Sequence, residues 1–371
     1  MDCGYFDAGV CRSCHWLTTP YAVQLARKQA AVAAMLPEVR WREPVASYES
    51  GFRNKAKMVV GGTAAEPTLG ILDHDGRGVD LRECGLHDPR LHDALPLVAD
   101  LVRAAGVTPY AVPERRGELK HVIATVAPSG DLMVRFVLRS SEAVPRLRKH
   151  LHLLTDALPV VVASVNLQPR HTAILEGPDE ILLTEQETLR MEVNGIGLHL
   201  RPQSFFQTNT EVAARLYGEA SGLVDAVAPA SVWDLYCGVG GFGLHVAAAG
   251  RAVVGVETSE QAIDSARLTS AERGAEATWV AGDATAFALD SDPRHVPELV
   301  VVNPPRRGIG PALSAWLEAS GVRYVVYSSC NARTLAADLE RMPSLVPRSA
   351  RLLDMFPHTE HHEVLTLLSR A

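Results

Sequence analysis

Two side chains near the carboxyl end of the chain could share one covalent reaction. Cys330 lies in Tyr327-Ser328-Ser329-Cys330-Asn331-Ala332, at the end of an apolar run and ahead of a helical pattern. A thiol placed there is either a buried filler or a nucleophile. Its polar neighbours favour the nucleophile, and a following helix N-terminus would favour the thiolate. Glu363 closes Phe356-Pro357-His358-Thr359-Glu360-His361-His362-Glu363, just before the last strand pattern. The three histidines lack the spacing of a metal motif, and Pro357 argues for a loop. A loop carboxylate for proton transfer is the better reading.

A third feature lies upstream, in Trp233-Asp234-Leu235-Tyr236-Cys237-Gly238-Val239-Gly240-Gly241-Phe242-Gly243. Gly238, Gly240 and Gly243 let the chain turn sharply and let a ligand approach the backbone. Glu257, about 20 residues on, could accept the two hydroxyls of a ribose. The pattern fits a dinucleotide, S-adenosylmethionine, or merely a tight turn. Asp234 favours S-adenosylmethionine, whose sulfonium is cationic and which carries no pyrophosphate. Asn303-Pro304-Pro305-Arg306-Arg307-Gly308 follows a later strand pattern. Asn-Pro-Pro at such a place also occurs in amino-group methyltransferases, but there an aromatic residue follows to stack on the base. Arg306 removes that platform.

A methyl donor, a thiol and a base are all needed for methylation at carbon 5 of uracil. That carbon is a poor nucleophile until a thiolate adds at carbon 6. After methyl transfer, a base must remove the proton at carbon 5 so that the thiol can leave. Amino-group methylation needs neither the thiol nor the elimination.

The remaining thiols are Cys237, alone, and the set Cys3, Cys11, Cys14 and Cys84. The chain lacks an export signal, so a cytoplasmic location is expected and thiols should stay reduced. Clustered thiols then suggest a metal, and their spacing suits zinc and iron–sulfur equally. The net charge is −7 over 371 residues, so no global field draws in nucleic acid. RNA binding would rest on local groups: Arg53, Lys55 and Lys57; Arg115, Arg116 and Lys120; or Arg146, Arg148, Lys149 and His150. On charge alone each is better read as a solvated face. No apolar run is long enough to span a bilayer, so no membrane is expected.

These groups need elements to carry them. The spacing predicts a helix over 18–36, capped by Thr18 or Thr19 with Pro20 in its first turn. Residues 45–190 read as strand-rich, with strands at 56–60, 119–126, 132–138 and 160–167 and a helix over 142–158. Beyond residue 200, short apolar strands at 231–236, 253–257, 299–303 and 324–329 alternate with helices, and 364–368 closes the series. That alternation predicts an α/β architecture with a mostly parallel sheet, whose ligands sit beyond the carboxyl ends of the strands.

Taken together, these strings resemble the RNA 5-methyluridine methyltransferase family over essentially the whole chain. The strings are Asp-Leu-Tyr-Cys-Gly-Val-Gly-Gly-Phe from Asp234, Asn-Pro-Pro-Arg-Arg-Gly, Ser-Ser-Cys-Asn, and Asp-Met-Phe-Pro-His-Thr from Asp354. Asn303, where many members carry Asp, Arg201-Pro202-Gln203-Ser204-Phe205-Phe206-Gln207 and the N-terminal cysteines look like the type that acts on 23S rRNA. The resemblance implies Cys330 as nucleophile and Glu363 as base. It implies S-adenosylmethionine contacts at Gln207, Tyr236, Glu257, Asn303 and, more weakly, Asp283. It implies a [4Fe-4S] cluster on Cys3, Cys11, Cys14 and Cys84, and uracil 747 of 23S rRNA as target. Residues 1–90 would carry the cluster and the first part of a central domain. Residues 45–195 would form that central α+β RNA-binding domain, and 196–371 a Rossmann-like methyltransferase domain. Many members begin with a small RNA-binding β-barrel, whereas this chain starts at the cysteines. Phe52, Arg53, Lys55 and Lys57 are then expected to grip an unpaired RNA segment. A monomer is expected. The rival readings are a tRNA uracil methyltransferase of the same family, an NAD-dependent oxidoreductase, and a non-catalytic iron–sulfur RNA-binding protein.

Overall fold

A computed structural model describes residues 1–371. They form two compact units: residues 1–14 with 49–191, and residues 15–48 with 192–371.

The first unit is built on seven strands: β1 (Lys55–Gly62), β2 (Pro67–Leu72), β3 (Gly78–Asp80), β4 (Leu119–Val126), β5 (Leu132–Leu138), β6 (Val160–Leu167) and β7 (Asp179–Leu182). They pair in the order β3-β2-β1-β4-β5-β6-β7, and only β5 and β6 run parallel. Side chains alternate across such a sheet. On β1, Ala56, Met58 and Val60 enter the core, while Lys55, Lys57 and Val59 do not. A helix over Pro89–Ala104, which the sequence reading missed, covers the core face with Leu91, Leu95, Val98 and Val102. Asp88 caps it by accepting from the Arg90 N–H at 3.0 Å, and Pro89 opens its first turn. The helix expected over 142–158 is two shorter ones, Val144–His150 and His152–Thr155.

The chain passes into the second unit within β8 (Leu189–Val193), and β9 (Ile196–Leu200) follows. The main sheet of this unit uses β10 (Ser231–Leu235), β11 (Ala252–Glu257), β12 (Ala277–Ala281), β13 (Leu299–Val302), β14 (Tyr324–Ser329), β15 (Leu345–Leu353) and β16 (Glu363–Arg370). Its order is β12-β11-β10-β13-β14-β16-β15. The first five are parallel, and β16 is antiparallel to both its neighbours. The α/β expectation holds, with an antiparallel pair at one side. Because β16 runs backwards, its first residue lies at the same edge as the last residues of β10, β11, β13 and β14.

One boundary differs from expectation. Residues 15–48 pack with the C-terminal unit rather than with the N-terminal cysteines. The helix is Tyr21–Met35, and Pro20 is its capping residue rather than part of its first turn. Val32, Leu36 and Val39 join the core around β13, β14 and β16. Trp41 and Val45 then bridge Ala350 and Leu353, which covers the edge strand β15.

Candidate active site

The cofactor loop is shaped by what its glycines avoid. Gly240 has φ +85°, and an added Cβ would come within 2.8 Å of the Trp279 ring. Gly238 has φ +54°, and a Cβ there would meet nothing within 4 Å, so its open side could receive a ligand. Tyr236 also adopts a left-handed backbone, at φ +67°, as the chain leaves β10. Asp234 is fully buried and accepts from the Gly243 N–H at 2.7 Å. Burial first, then Glu257, pushes its carboxyl up to about 7. Asp234 thus anchors the loop to its helix. That differs from the expected role as an acid facing the cofactor.

Glu257 ends β11 half-buried. One oxygen accepts from the Gly238 N–H at 3.3 Å; the other accepts from the Thr258 hydroxyl and the Ser259 N–H. Asp283 is exposed and caps the next helix, accepting from the Ala286 N–H at 2.8 Å. Tyr236 is half-buried, with its hydroxyl 3.5 Å from that of Thr285, and Asn303 is half-buried at the end of β13. Tyr236, Glu257, Asp283 and Asn303 all lie at or just beyond the carboxyl ends of neighbouring parallel strands.

Cys330 follows β14 directly, and the register pairs Ser329 with Val364. Cys330 therefore stands opposite Glu363. The loop before it is fixed from below. Asp338 accepts from the Ile309 N–H at 2.9 Å and the Tyr327 hydroxyl at 2.8 Å, and the Arg306 carbonyl accepts from Asn331 at 3.1 Å. The positive charge of Arg306 acts on the Cys330 thiol, an influence the sequence alone does not reveal. The thiol is nevertheless held above its ordinary value. Burial is the main cause, with the Glu363 carboxylate second, and Arg306 pulls the other way. The expected gain from the helix N-terminus is outweighed. The helix starts at Ala332, and its cap, Asn331, already accepts from the Arg333 N–H.

Glu363 is buried, and burial raises its carboxyl to about 8. Hydrogen bonds from Ser328 (3.5 Å) and Gln207, and the charge of Arg306, act in the opposite direction. Gln207, expected at the methyl donor, is thus also a neighbour of the Glu363 carboxyl. Two residues before it, Phe205 is 71% exposed, a large apolar ring with no core to fill. The segment before Glu363 is a loop, as expected. His358 in it is fully buried, with its ring nitrogen 3.2 Å from Gln24.

The first unit gathers the other thiols. Cys3, Cys11, Cys14 and Cys84 are all half-buried and without disulfides. Burial pushes the Cys14 thiol up to about 11, and Cys84 and Cys11 add to it, while Arg53 pulls it back. Arg53 acts on Cys84 in the same way. The four sulfurs are therefore neighbours, with one guanidinium beside two of them.

This placement corrects the expected RNA grip. Phe52 is 7% exposed, so its ring is not open for stacking. Arg53 faces the thiols, and Lys55 is lowered to about 8 by burial and by Lys57. Only Lys57 of that group is exposed. Lys120 is buried and donates to the Arg170 carbonyl, and Arg146 is held by the Ala105 and Gly106 carbonyls. Arg115, Arg116, Arg148 and Lys149 remain at the surface.

Comparison with known proteins bears on the whole chain. Residues 232–300 match a methyltransferase domain family, and residues 292–371 match the tRNA (uracil-5-)-methyltransferase family. The chain is 46% identical to the 23S rRNA (uracil(747)-C(5))-methyltransferase RlmC of Photorhabdus laumondii, covering 99% of each. It is 48% identical to the protein of that name from Halothiobacillus neapolitanus, covering all of both. Among solved structures, the tRNA (uracil-54, C5)-methyltransferase of Pyrococcus abyssi, bound to S-adenosyl-L-homocysteine, aligns with a TM-score of 0.78 at 24% identity. That alignment covers 96% of this chain and 85% of the other, and it shows the shared fold. On full-length identity of this size, the chain belongs to the RlmC family of 23S rRNA (uracil-C5)-methyltransferases.

Proposed function

We propose that this protein methylates carbon 5 of a uracil in 23S rRNA, uracil 747 being the target named for its relatives. The observation that carries the reading is a thiol facing a buried carboxylate across one pair of antiparallel strands. A dinucleotide oxidoreductase would leave that pair without a task.

The loop around Gly238 and the Glu257 carboxylate suits S-adenosylmethionine, which supplies an electrophilic methyl group. Gly238 leaves room for it, and Glu257 stands where a ribose would be held. Tyr236, Asn303 and Asp283 line the same edge.

The chain's own residues account for the rest. Cys330 gives its proton to solvent water, and the positive charge of Arg306 favours the thiolate. The sulfur adds to carbon 6 of uracil, the electron pair moves toward the oxygen on carbon 4, and carbon 5 becomes nucleophilic. Once carbon 5 carries the methyl group, Glu363 takes its remaining proton. That electron pair restores the double bond between carbons 5 and 6, and the thiolate leaves. A carboxylate whose conjugate acid titrates near 8 is a stronger base than an ordinary one, which suits removal of a carbon-bound proton. Gln207 and Ser328 hold it in place.

Phe205 is the aromatic ring best exposed for a base to stack on, and it lies beside Gln207 in sequence. A base reaching Cys330 must leave its own stack, which an unpaired or flipped nucleotide does.

Cys3, Cys11, Cys14 and Cys84 would hold a [4Fe-4S] cluster. Four thiols grouped near Arg53 suit either zinc or an iron–sulfur cluster, and the family resemblance favours the cluster. The cluster would order this segment and takes no part in methyl transfer. No helix is long and apolar enough to cross a membrane.

Mass mapping of 5-methyluridine in 23S rRNA, from cells with and without the protein, tests the assignment. Loss of one 5-methyluridine, restored by the wild type and not by Cys330→Ala, is expected. An unchanged map would overturn it.

A further inference from the structure

The loop that delivers Glu363 has no regular structure of its own, yet a distant helix holds it at four residues, Asp354, Phe356, His358 and His361. Gln24, Lys28 and Val32 form the buried stripe of Tyr21–Met35, spaced four residues apart and so on one face. Val32 enters the core. The two polar members point at the loop.

Lys28 is 2% exposed and spends all three of its protons there. Its Nζ donates to Asp354 Oδ1 at 2.6 Å, to the Phe356 carbonyl at 3.0 Å and to the His361 carbonyl at 2.9 Å. One ammonium thus ties the beginning of the loop to a residue two before Glu363. Gln24 is fully buried. Its Oε1 accepts from the His358 N–H at 2.8 Å, its Nε2 lies 3.2 Å from His358 Nδ1, and Nε2 also donates to the Thr19 carbonyl at 2.8 Å. His358 has φ +66°, a left-handed backbone that a side chain adopts only when its surroundings fix it. A salt bridge alone would have needed one acceptor. Here the carbonyls at both ends of the loop converge on one nitrogen.

We infer that Lys28 and Gln24 are positioning residues for proton removal at carbon 5: they fix the loop that sets where the Glu363 carboxylate stands. Neither touches the base or the methyl donor. Their task concerns the last half of the reaction, because addition of Cys330 and methyl transfer use groups on β10 to β14. This rests on the reading of Glu363 as the base.

The test is single turnover with the full-length protein, unmodified RNA and S-adenosylmethionine, following the methylated protein–RNA adduct and free product separately. Changing Lys28 alone would strand the buried Asp354 charge, so the variant is Lys28→Met with Asp354→Asn, which removes both charges together. It should bind S-adenosylmethionine and form adduct at the wild-type rate. Release of product should slow about 10- to 100-fold, so adduct accumulates. Gln24→Ala, at the other anchor, should show the same split to a smaller degree, and it carries the test if the double variant does not fold. Wild-type release in the folded variants, or adduct formation slowed as much as release, would overturn the inference. Failure of the Glu363 reading is distinct: Glu363→Gln itself would then release product normally.

Discussion

Cys330 stands directly across from Glu363, because Ser329 pairs with Val364 in the antiparallel register of β14 and β16. The nucleophile ends one strand and the base begins the next. Burial keeps a proton on Glu363 up to about pH 8 and is also the main reason the Cys330 thiol is held above its ordinary value; once Glu363 is ionised, its charge disfavours the thiolate further.

Glu363 makes stability depend on pH. Its folded value is about 8 against an ordinary 4.5, so the folded state keeps a proton that the unfolded chain loses between those values. Stability from this group is fully present below about pH 4.5 and falls as pH rises to 8. Glu363→Gln abolishes that loss. Thermal melts should show it more stable than wild type at pH 8.5, by an amount of order a few kcal/mol, with the gap closing by pH 5. The same variant should lose about 100-fold or more in turnover and accumulate adduct on normal RNA. A gap equal at both pH values would contradict the buried, proton-holding carboxyl.

The two loop glycines should separate fold from binding. Gly240→Ala must place a Cβ 2.8 Å from Trp279 at a positive φ, so it should destabilise the fold by about 1–3 kcal/mol. Gly238→Ala meets no protein atom and should cost only about 1 kcal/mol for its backbone. Calorimetry should still show much weaker S-adenosylmethionine binding for Gly238→Ala. Equal affinity to wild type would move the methyl donor elsewhere.

Phe205→Ala removes an exposed ring, so the melting temperature and S-adenosylmethionine affinity should not change. RNA affinity should fall by about 1–3 kcal/mol, read by filter binding, if a base stacks there. Unaltered RNA affinity would exclude the platform.

These tests divide along the line between what local pattern reveals and what it hides. Tyr236, Glu257, Asn303 and Cys330 were legible because each ends an apolar strand in an alternating strand–helix series. Glu363 begins a strand, and only its antiparallel direction brings it to the same edge; local sequence marks a loop carboxylate suited to proton transfer but not its place opposite Cys330. Phe52, expected to stack on RNA, is packed, while Phe205 is exposed, since sequence alone does not tell a ring that is packed from one left outside. Nothing in the helix expected over 18–36 marks Gln24 and Lys28 as buried. Their partners lie more than 300 residues away, and Lys28 pairs with Asp354 inside the protein at 2.6 Å. Pro96 inside Pro89–Ala104 disguised a helix whose apolar face is complete.

The N-terminal thiols should hold iron. Protein purified without oxygen should contain about four iron and four sulfide per chain, and Cys84→Ser should lower both. Zinc at about one per chain, with no sulfide, would replace the cluster by a zinc site.

The central claim, attack by Cys330 on carbon 6, is tested most directly with RNA carrying 5-fluorouracil at the target. Fluorine replaces the proton that Glu363 would remove, so methyl transfer proceeds and release does not. Incubated with S-adenosylmethionine, the wild type should give a protein–RNA adduct that survives denaturing electrophoresis and carries one added methyl by mass. Peptide mapping should place the RNA on Cys330, and Cys330→Ala should give none. A wild-type protein that methylates normal RNA yet forms no adduct, or an adduct that persists in Cys330→Ala, would contradict the account.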